Sequence, residues 1–371
     1  MLFTTSLLFA LAQKPFSLLF GGDIMLNGIP PSARTLYSVR PLLTSAVTFA
    51  NLEVPLTDST DRTQRKTADE LKRRDQFILK GSPKHIPFLK ENGILVVTLG
   101  NNHAMDYGAR GLDEMMGELD RARIHHTGAG PNLAESRKVC IVGLRGGVRV
   151  GLLSAMAFLS SKALSKTTPA TEDSAGVSTL DFNGRIDDEV KDSLREWIAD
   201  AHKSCDIVVV GVHWGTERKP VPNPYQVSLG RALVDAGADV VWGNHPHVLQ
   251  GAEIYKGVPI LYSMGNLISP LPAATGFVKV TFDGKRRQLR FYPARDRVGR
   301  CEPLPERDVP AAATAYRALC QAIQTKYHSP DSELPEVFSG TVLPPPVPAE
   351  PNGKLGGRRY TPEHGRRRAL H

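Results

Sequence analysis

Two histidines separated by one residue, His245 and His247, follow an apolar run in Val-Val-Trp-Gly-Asn-His-Pro-His-Val-Leu-Gln (240–250). An apolar run that ends in Gly243 and delivers two imidazoles reads as a buried strand placing metal ligands at its carboxyl end. Imidazole suits zinc, iron, manganese or nickel, but two histidines do not hold a catalytic ion alone, so other ligands must come from elsewhere. Asp23, Glu53, Asn102, His103 and His213 each close an apolar run, in 18–23, 47–53, 94–103 and 207–213. Each has an ordinary explanation by itself. An Asp after a strand caps a helix, the Asn101-Asn102 pair suits a turn, and His213 beside Trp214 suits a hydrogen-bonded core position. Together they point to a metal site, because open α/β sheets gather ligands outside the carboxyl ends of their strands.

The elements that must position these groups follow from pattern. Strands are expected over 16–23, 47–53, 94–99, 206–213 and 239–243, with Gly21-Gly22 allowing a tight turn into the crevice. Segments 138–144 and 149–155 form a hairpin turning at Arg145-Gly146-Gly147. Further strands are expected over 248–255, 259–263, 276–282 and 288–292, with Gly265-Asn266 in a turn. Helices are expected over 83–91, 111–123, 187–203, 225–236 and 310–327, the second amphipathic through Leu112, Met115, Met116 and Leu119. Segment 158–175 reads as a surface loop or lid. The segment 57–76 is crowded with Arg62, Arg65, Lys66, Lys72, Arg73 and Arg74 and reads as a charged loop. Most such runs are solvated faces; the alternative is that one or two of these cations meet an anionic substrate.

The chain has 371 residues, 41% of them hydrophobic, enough for a substantial core. Of the net charge of +8, the last segment supplies +4, six basic residues against two acidic, so the folded part is only mildly basic. No zinc finger, RNP-like aromatic motif or helix-turn-helix is visible, and nucleic acid is not an expected partner. Cys140, Cys205, Cys301 and Cys320 lack C-x-x-C spacing; the first two read as core, and the last two could pair if the chain is exported. The apolar start, 1–12, ends in Ala10-Leu11-Ala12, the small-residue pattern of a cleavable signal, which would export the chain to the periplasm or beyond; otherwise it is cytoplasmic. No stretch reaches the roughly 18 apolar residues of a transmembrane helix. The expected order is a leader (1–12), one α/β domain (13–300), a helical extension (301–340) and a Pro-rich basic tail (341–371).

Six motifs now stand in order: Gly22-Asp23-Ile24-Met25, Asn51-Leu52-Glu53-Val54-Pro55-Leu56-Thr57, Asn101-Asn102-His103-Ala104-Met105-Asp106-Tyr107-Gly108, His213-Trp214-Gly215-Thr216-Glu217, His245-Pro246-His247-Val248-Leu249-Gln250-Gly251 and Tyr262-Ser263-Met264-Gly265-Asn266. In that order they resemble the CapA/PgsA capsule-synthesis family, which is implicated in bacterial poly-γ-glutamate and capsule production. The family is similar in fold to calcineurin-like metallophosphoesterases, implying a four-layer α/β/β/α sandwich. The resemblance makes Asp23, Glu53, Asn102, His213, His245 and His247 the metal ligands, with Glu53 bridging. It makes His103, oriented by Asp106, a proton donor or charge stabiliser, and Asn51, Glu217 and Asn266 substrate contacts. Met25 stands where a metallophosphoesterase has a ligating His, and Asn244 where the capsule family often has His or Ser, so one or two divalent ions (Mn, Zn or Fe) are implied. The implied activity is hydrolysis of a phosphoester or glutamyl-polymer bond by metal-activated water, with capsule-synthesis membrane proteins as partners. The competing reading is a non-catalytic assembly or export factor that binds an anionic polymer through a degenerate site.

Overall fold

The computed structural model describes residues 14–157, 165–180 and 184–341. The expected leader, the first part of the expected lid (158–164) and the tail from 342 lie outside the described residues.

Two large sheets organise a mixed α/β fold. The first runs, in spatial order, β16 (Cys301–Pro303), β15 (Arg286–Asp296), β14 (Ala273–Asp283), β1 (Phe16–Ile24), β2 (Val47–Leu52), β3 (Ile94–Thr98) and β4 (His125–Thr127). Two further strands join its sides, β13 (Asn266–Ile268) against β1 and β18 (Val337–Ser339) against β15. The second runs β17 (Ser332–Glu333), β11 (Ala252–Tyr255), β12 (Val258–Leu261), β10 (Val240–Asn244), β9 (Ile207–Trp214), β7 (Arg149–Ala157) and β6 (Cys140–Gly143). A short pair, β5 (Ala129–Gly130) and β8 (Gly176–Val177), stands apart. The centre of each large sheet is parallel, β1 to β4 in one and β7, β9, β10 and β12 in the other. Antiparallel strands extend one side of the first sheet and both sides of the second, while β4 closes the other side of the first in parallel.

The central strands are mostly apolar because both faces are covered. Side chains alternate, so Leu18 and Phe20 join one cluster while Leu19 joins another. Phe20, Phe49 and Val96 of the first sheet meet Val209, Val240 and Trp242 of the second in a shared cluster. Phe20 stacks on Phe49 at 5.2 Å between ring centroids, and Trp242 lies 5.8 Å from Phe20. The other face of the first sheet packs Leu19, Ala50 and Val97 under Leu89, Leu112, Met115 and Leu119, from helices Ile86–Glu91 and Gly108–Arg121. The other face of the second packs Val208, Val210 and Val212 under Leu194, Ile198, Leu229 and Leu233, from helices Asp188–His202 and Pro224–Asp235. Each such side chain contributes about 1.5–3 kcal/mol by leaving water, and together these offset the ordering of the chain.

Several expectations are corrected. The charged loop 57–76 contains a helix, Ala68–Arg73, started by Thr67 and Glu70 in a capping box, so local hydrogen bonding prevails over the charge run. Asn266 is not in a turn: it opens β13 and pairs in register with Asp23. The strand expected over 248–255 begins only at Ala252, while β14 and β15 extend to 11 residues each and pair along their whole length. Cys301 and Cys320 are free and buried in different apolar clusters, as small core residues. Beyond residue 300, β16 and β18 add to the first sheet, β17 adds to the second, and helix Val309–Lys326 packs on β11 and β15. No helix of the described residues is long and apolar enough to cross a membrane.

Glycine permits a close backbone approach between β1 and the turn that leads into β13. A Cβ on Gly22 would lie 1.8 Å from the Gly265 carbonyl oxygen, and that oxygen accepts the Asp23 amide at 2.9 Å. Backbone meets backbone there, so neither can yield cheaply. Gly22→Ala is expected to lower stability by about 2–3 kcal/mol in urea unfolding, the cost of overpacking a rigid contact. Gly143→Ala, with nothing within 4 Å of the added carbon, should leave the midpoint unchanged; equal midpoints for both variants would refute the close-approach argument.

Candidate metal centre

Five strand ends converge at one end of the two sheets. β1 and β2 deliver Asp23 and Glu53, β9 delivers His213, β10 delivers His245 and His247, and the turn after β3 delivers Asn102 and His103. The parallel register sets this up, since Asp23 pairs with Asn51 across β1 and β2 and Asn244 pairs with His213 across β10 and β9. After β10 the chain turns sharply, with φ of 97° at His245 and 58° at His247. Non-glycine residues rarely adopt this region, and such strain collects where side chains must be aimed.

Donor atoms of Glu53, His245 and His247 lie within 4.8 Å of one another, and so do those of Asp23, Glu53 and His213. Glu53 belongs to both groups. His213 Nε2 lies 3.4 Å and His247 Nε2 3.6 Å from Glu53 Oε1, and His247 Nδ1 lies 3.2 Å from Asp23 Oδ2. The His213 and His245 rings stand edge to face at 4.7 Å between centroids. Asn102 Oδ1 sits 2.8 Å from His213 Nε2, which brings the sixth expected ligand to the same place.

The electrostatics are those of a cation site. Burial, with Asp23 and Glu217 adding, raises the Glu53 carboxyl well above its ordinary value, and His247 opposes. Burial and the neighbouring imidazoles push His213 and His245 well below the usual histidine value. Burial would lower His247 too, but Glu53, Asp23 and Glu217 overcome it and raise it to about 10. Two buried carboxylates and three imidazoles therefore share too little positive charge. Glu53 Oε1 is buried without a hydrogen-bond partner. An orphaned carboxylate oxygen facing imidazole nitrogens fits a divalent ion of the borderline kind that takes mixed N and O ligands.

A surrounding layer holds these groups in place. The Asn51 amide donates to Asp23 Oδ1 at 2.8 Å and Glu53 Oε2 at 3.2 Å, while its oxygen accepts from Thr98 Oγ1 and Asn101 Nδ2, both at 3.1 Å. Asn51 was expected to touch substrate; its buried, fully used amide suits holding the two carboxylates. Asn266 Oδ1 lies 2.9 Å from His247 Nδ1 and orients that ring, the usual second contact of a ligating imidazole. Of the three expected substrate contacts only Glu217 is exposed, on the rim after β9. Asn101 turns the chain, accepting from the amides of His103 and Ala104 at 3.1 and 3.0 Å.

Beside the cluster, His103 Nδ1 donates to Asp106 Oδ2 at 2.7 Å, and Asp106 Oδ2 also accepts the Leu79 amide at 2.7 Å. Sequence did not single out the third member. Lys66 is 1% exposed and pairs with Asp106 Oδ1 while donating to the carbonyls of Phe77 at 2.8 Å and Asn102 at 3.2 Å. Burial pulls the Lys66 ammonium down and Asp106 opposes this. Burial would raise Asp106, but His103 and Lys66 hold it below the ordinary carboxylate value. One cation of the charged segment thus does reach the site, although only the fold distinguishes it from its solvated neighbours.

The family described as "Bacterial capsule synthesis protein PGA_cap" matches residues 17–271, a span holding all six candidate ligands. The PGA biosynthesis protein CapA of Bacillus subtilis (strain 168) is 36% identical over 192 residues, 51% of this chain and 46% of that protein. The capsule biosynthesis protein CapA of Bacillus anthracis is 34% identical over 195 residues, 51% and 44% of the two chains. A probable polyglutamine synthesis accessory protein of Mycobacterium tuberculosis (strain ATCC 25618 / H37Rv) is 31% identical over 205 residues, 54% and 52%. The chain spans about half the length of these curated relatives. With the family match covering more than half of its residues, the chain belongs to the PGA_cap family of bacterial capsule synthesis proteins.

Proposed function

We propose that this chain is a metal-dependent hydrolase built on a metallophosphoesterase-like four-layer α/β/β/α sandwich, acting on a phosphoester or glutamyl-polymer bond in capsule or poly-γ-glutamate biosynthesis. One observation carries the reading: donor atoms from four strand ends lie within 4.8 Å of one another in two groups sharing Glu53. Helices covering the outer face of each sheet support the four-layer arrangement. The names of the relatives support capsule polymer as the context. Export through the apolar start and contact with capsule-synthesis membrane proteins belong to the same proposal.

Asp23, Glu53, His213, His245 and His247 would hold the ion, with Asn102 as a neutral oxygen ligand. A divalent ion there supplies charge neutralisation, polarisation of a substrate oxygen and activation of water near neutral pH. The chain's own groups do the rest. Asn51 keeps both carboxylates turned into the centre, and Asn266 fixes the His247 ring. Asp106 holds the Nδ1 proton of His103, which leaves Nε2 to carry a proton to or from a substrate oxygen. Lys66 keeps Asp106 charged and fixed through its contacts to Phe77 and Asn102. No Ser or Cys nucleophile is required.

A second reading, a non-catalytic polymer-binding assembly or export factor, is favoured by Met25. Its thioether packs on the apolar cluster where the metallophosphoesterase pattern has a ligating His, so one ion position has fewer ligands.

Three outcomes test these roles. Purified protein should hydrolyse a phosphodiester or poly-γ-glutamate only with added Mn²⁺ or Zn²⁺, and Glu53→Gln and His245→Ala should each cut turnover by about a hundredfold or more; polymer retention with no turnover in any metal would favour the second reading. Asn266→Ala should weaken metal affinity by about 10–100-fold, read by competition with a metal indicator. Lys66→Met should lower kcat by about tenfold or more at unchanged KM and metal content, with partial recovery in Lys66→Arg, since Lys66 acts by positioning His103. Loss of metal content or of the folded state alone would make Lys66 merely structural.

A further inference from the structure

Outside the candidate metal centre, a mostly apolar cavity of about 770 Å³ lies between the start of β14, the end of β15 and helix Val309–Lys326. Leu249, Phe291, Pro293, Ala294, Tyr316 and Leu319 form its walls. The volume falls within the range of small-molecule sites, roughly 300–1,000 Å³. Leu249 follows His247 by two residues, and the Leu249 backbone packs 3.3 Å from where a Cβ on Gly265 would lie. One thickness of chain therefore separates this cavity from the ligands.

The mouth has two features that a closed core would lack. First, apolar side chains face water: Val298, which lines the cavity, is 56% exposed, and Leu271, next to the lining residue Pro272, is 65% exposed. Val298 also has φ of 52°. For a β-branched residue this is a true outlier, so the chain holds an isopropyl group at the mouth against local backbone preference. Second, Arg295, Arg297 and Arg300 lie around the same mouth. Arg295 and Arg297 share Glu302 at 3.6 and 3.0 Å, whereas exposed Arg300 forms no ion pair among the described residues. Asp296, the acid in this turn, is engaged by Ser269 Oγ at 2.7 Å and the Gly299 amide at 3.2 Å.

We propose that this cavity binds a small amphiphile, its alkyl body against the partly exposed Leu249, Leu304 and Leu319 and its anionic head group on Arg300. A guanidinium pairs with a carboxylate or a phosphate through paired N–H donors, and an alkyl body laid against apolar side chains leaves water. The site is separate from the metal centre and does not depend on the hydrolase reading.

Calorimetric titration of the full chain tests it, using decanoate and decyl phosphate with decanol and decyltrimethylammonium as controls, all below micelle-forming concentrations. At least one anionic probe should bind, and decanol and the cation should bind about tenfold or more weakly, the worth of one charge-assisted contact. Preference between decanoate and decyl phosphate distinguishes a fatty carboxylate from a phosphate-headed ligand. Arg300→Ala should weaken the anionic probe about tenfold. Ala315→Trp, on the exposed side of the helix and lining the cavity, should abolish binding with the far-ultraviolet spectrum unchanged. The proposal is overturned if neither anionic probe binds, or if all four bind alike regardless of Ala315→Trp. It is equally overturned if the chain dimerises through this mouth and Ala315→Trp abolishes the dimer, because the occupant is then a second copy.

Discussion

Two carboxylates, Asp23 and Glu53, stand side by side in a place from which water is excluded, and the rest of the structure is arranged around making that tolerable. Like charges brought into a medium of low polarisability repel strongly, and each also loses its hydration. Asn51 answers part of this by donating to both. The three imidazoles answer another part, but unequally: His247 takes up positive charge while burial holds His213 and His245 neutral. What remains unanswered is the buried oxygen Glu53 Oε1, and a divalent cation is the species that meets a mixed set of carboxylate and imidazole donors.

That arrangement requires two separate sheets to keep a fixed relation to each other, because Asp23 and Glu53 come from one and the histidines from the other. Trp242 provides a polar tie across the apolar interface, its Nε1 donating to the Gly21 carbonyl at 2.9 Å, two residues before Asp23. Gly22 lets β1 approach the Gly265 backbone, and Gly243 leaves room for Trp214, whose indole donates to the Tyr262 carbonyl at 3.0 Å. Tight backbone packing and the buried polar cluster thus adjoin each other. Interiors resist compression, so a site anchored in such packing keeps its geometry whatever occupies it.

The Lys66, Asp106 and His103 group adds a second, lateral constraint. It draws one residue from the charged segment, two from the turn after β3, and backbone from Phe77 and Leu79. A buried ammonium paired with a buried carboxylate contributes little net stability, but breaking it leaves an isolated charge, so such a pair fixes position more than it stabilises. The salt bridge between Lys166 and Glu70, at 2.7 Å, joins the segment before β8 to the same charged helix.

The strands and the candidate donors were legible in the sequence for one reason: parallel central strands are largely apolar on both faces, so each run ends abruptly where polar residues enter the crevice. Asp23, Glu53, Asn102, His213, His245 and His247 all stand at such ends, and the structure brings them together. Local pattern was silent on residues whose role depends on distant neighbours. Nothing along the chain separates Lys66 from Arg65 or Lys72, because its burial depends on Asp106 and the carbonyls of Phe77 and Asn102 gathering around its ammonium. Nothing marked Asn51 as a clamp on two carboxylates, since that depends on which strand lies beside β2. The edge strands β16, β17 and β18 were equally hidden, being two or three residues long and held by pairing rather than by their own pattern. Periodicity and residue type, local properties, determined which groups could bind an ion. Tertiary structure alone decided how they are held, because burial and hydrogen-bond partnership arise only when segments far apart in sequence pack together.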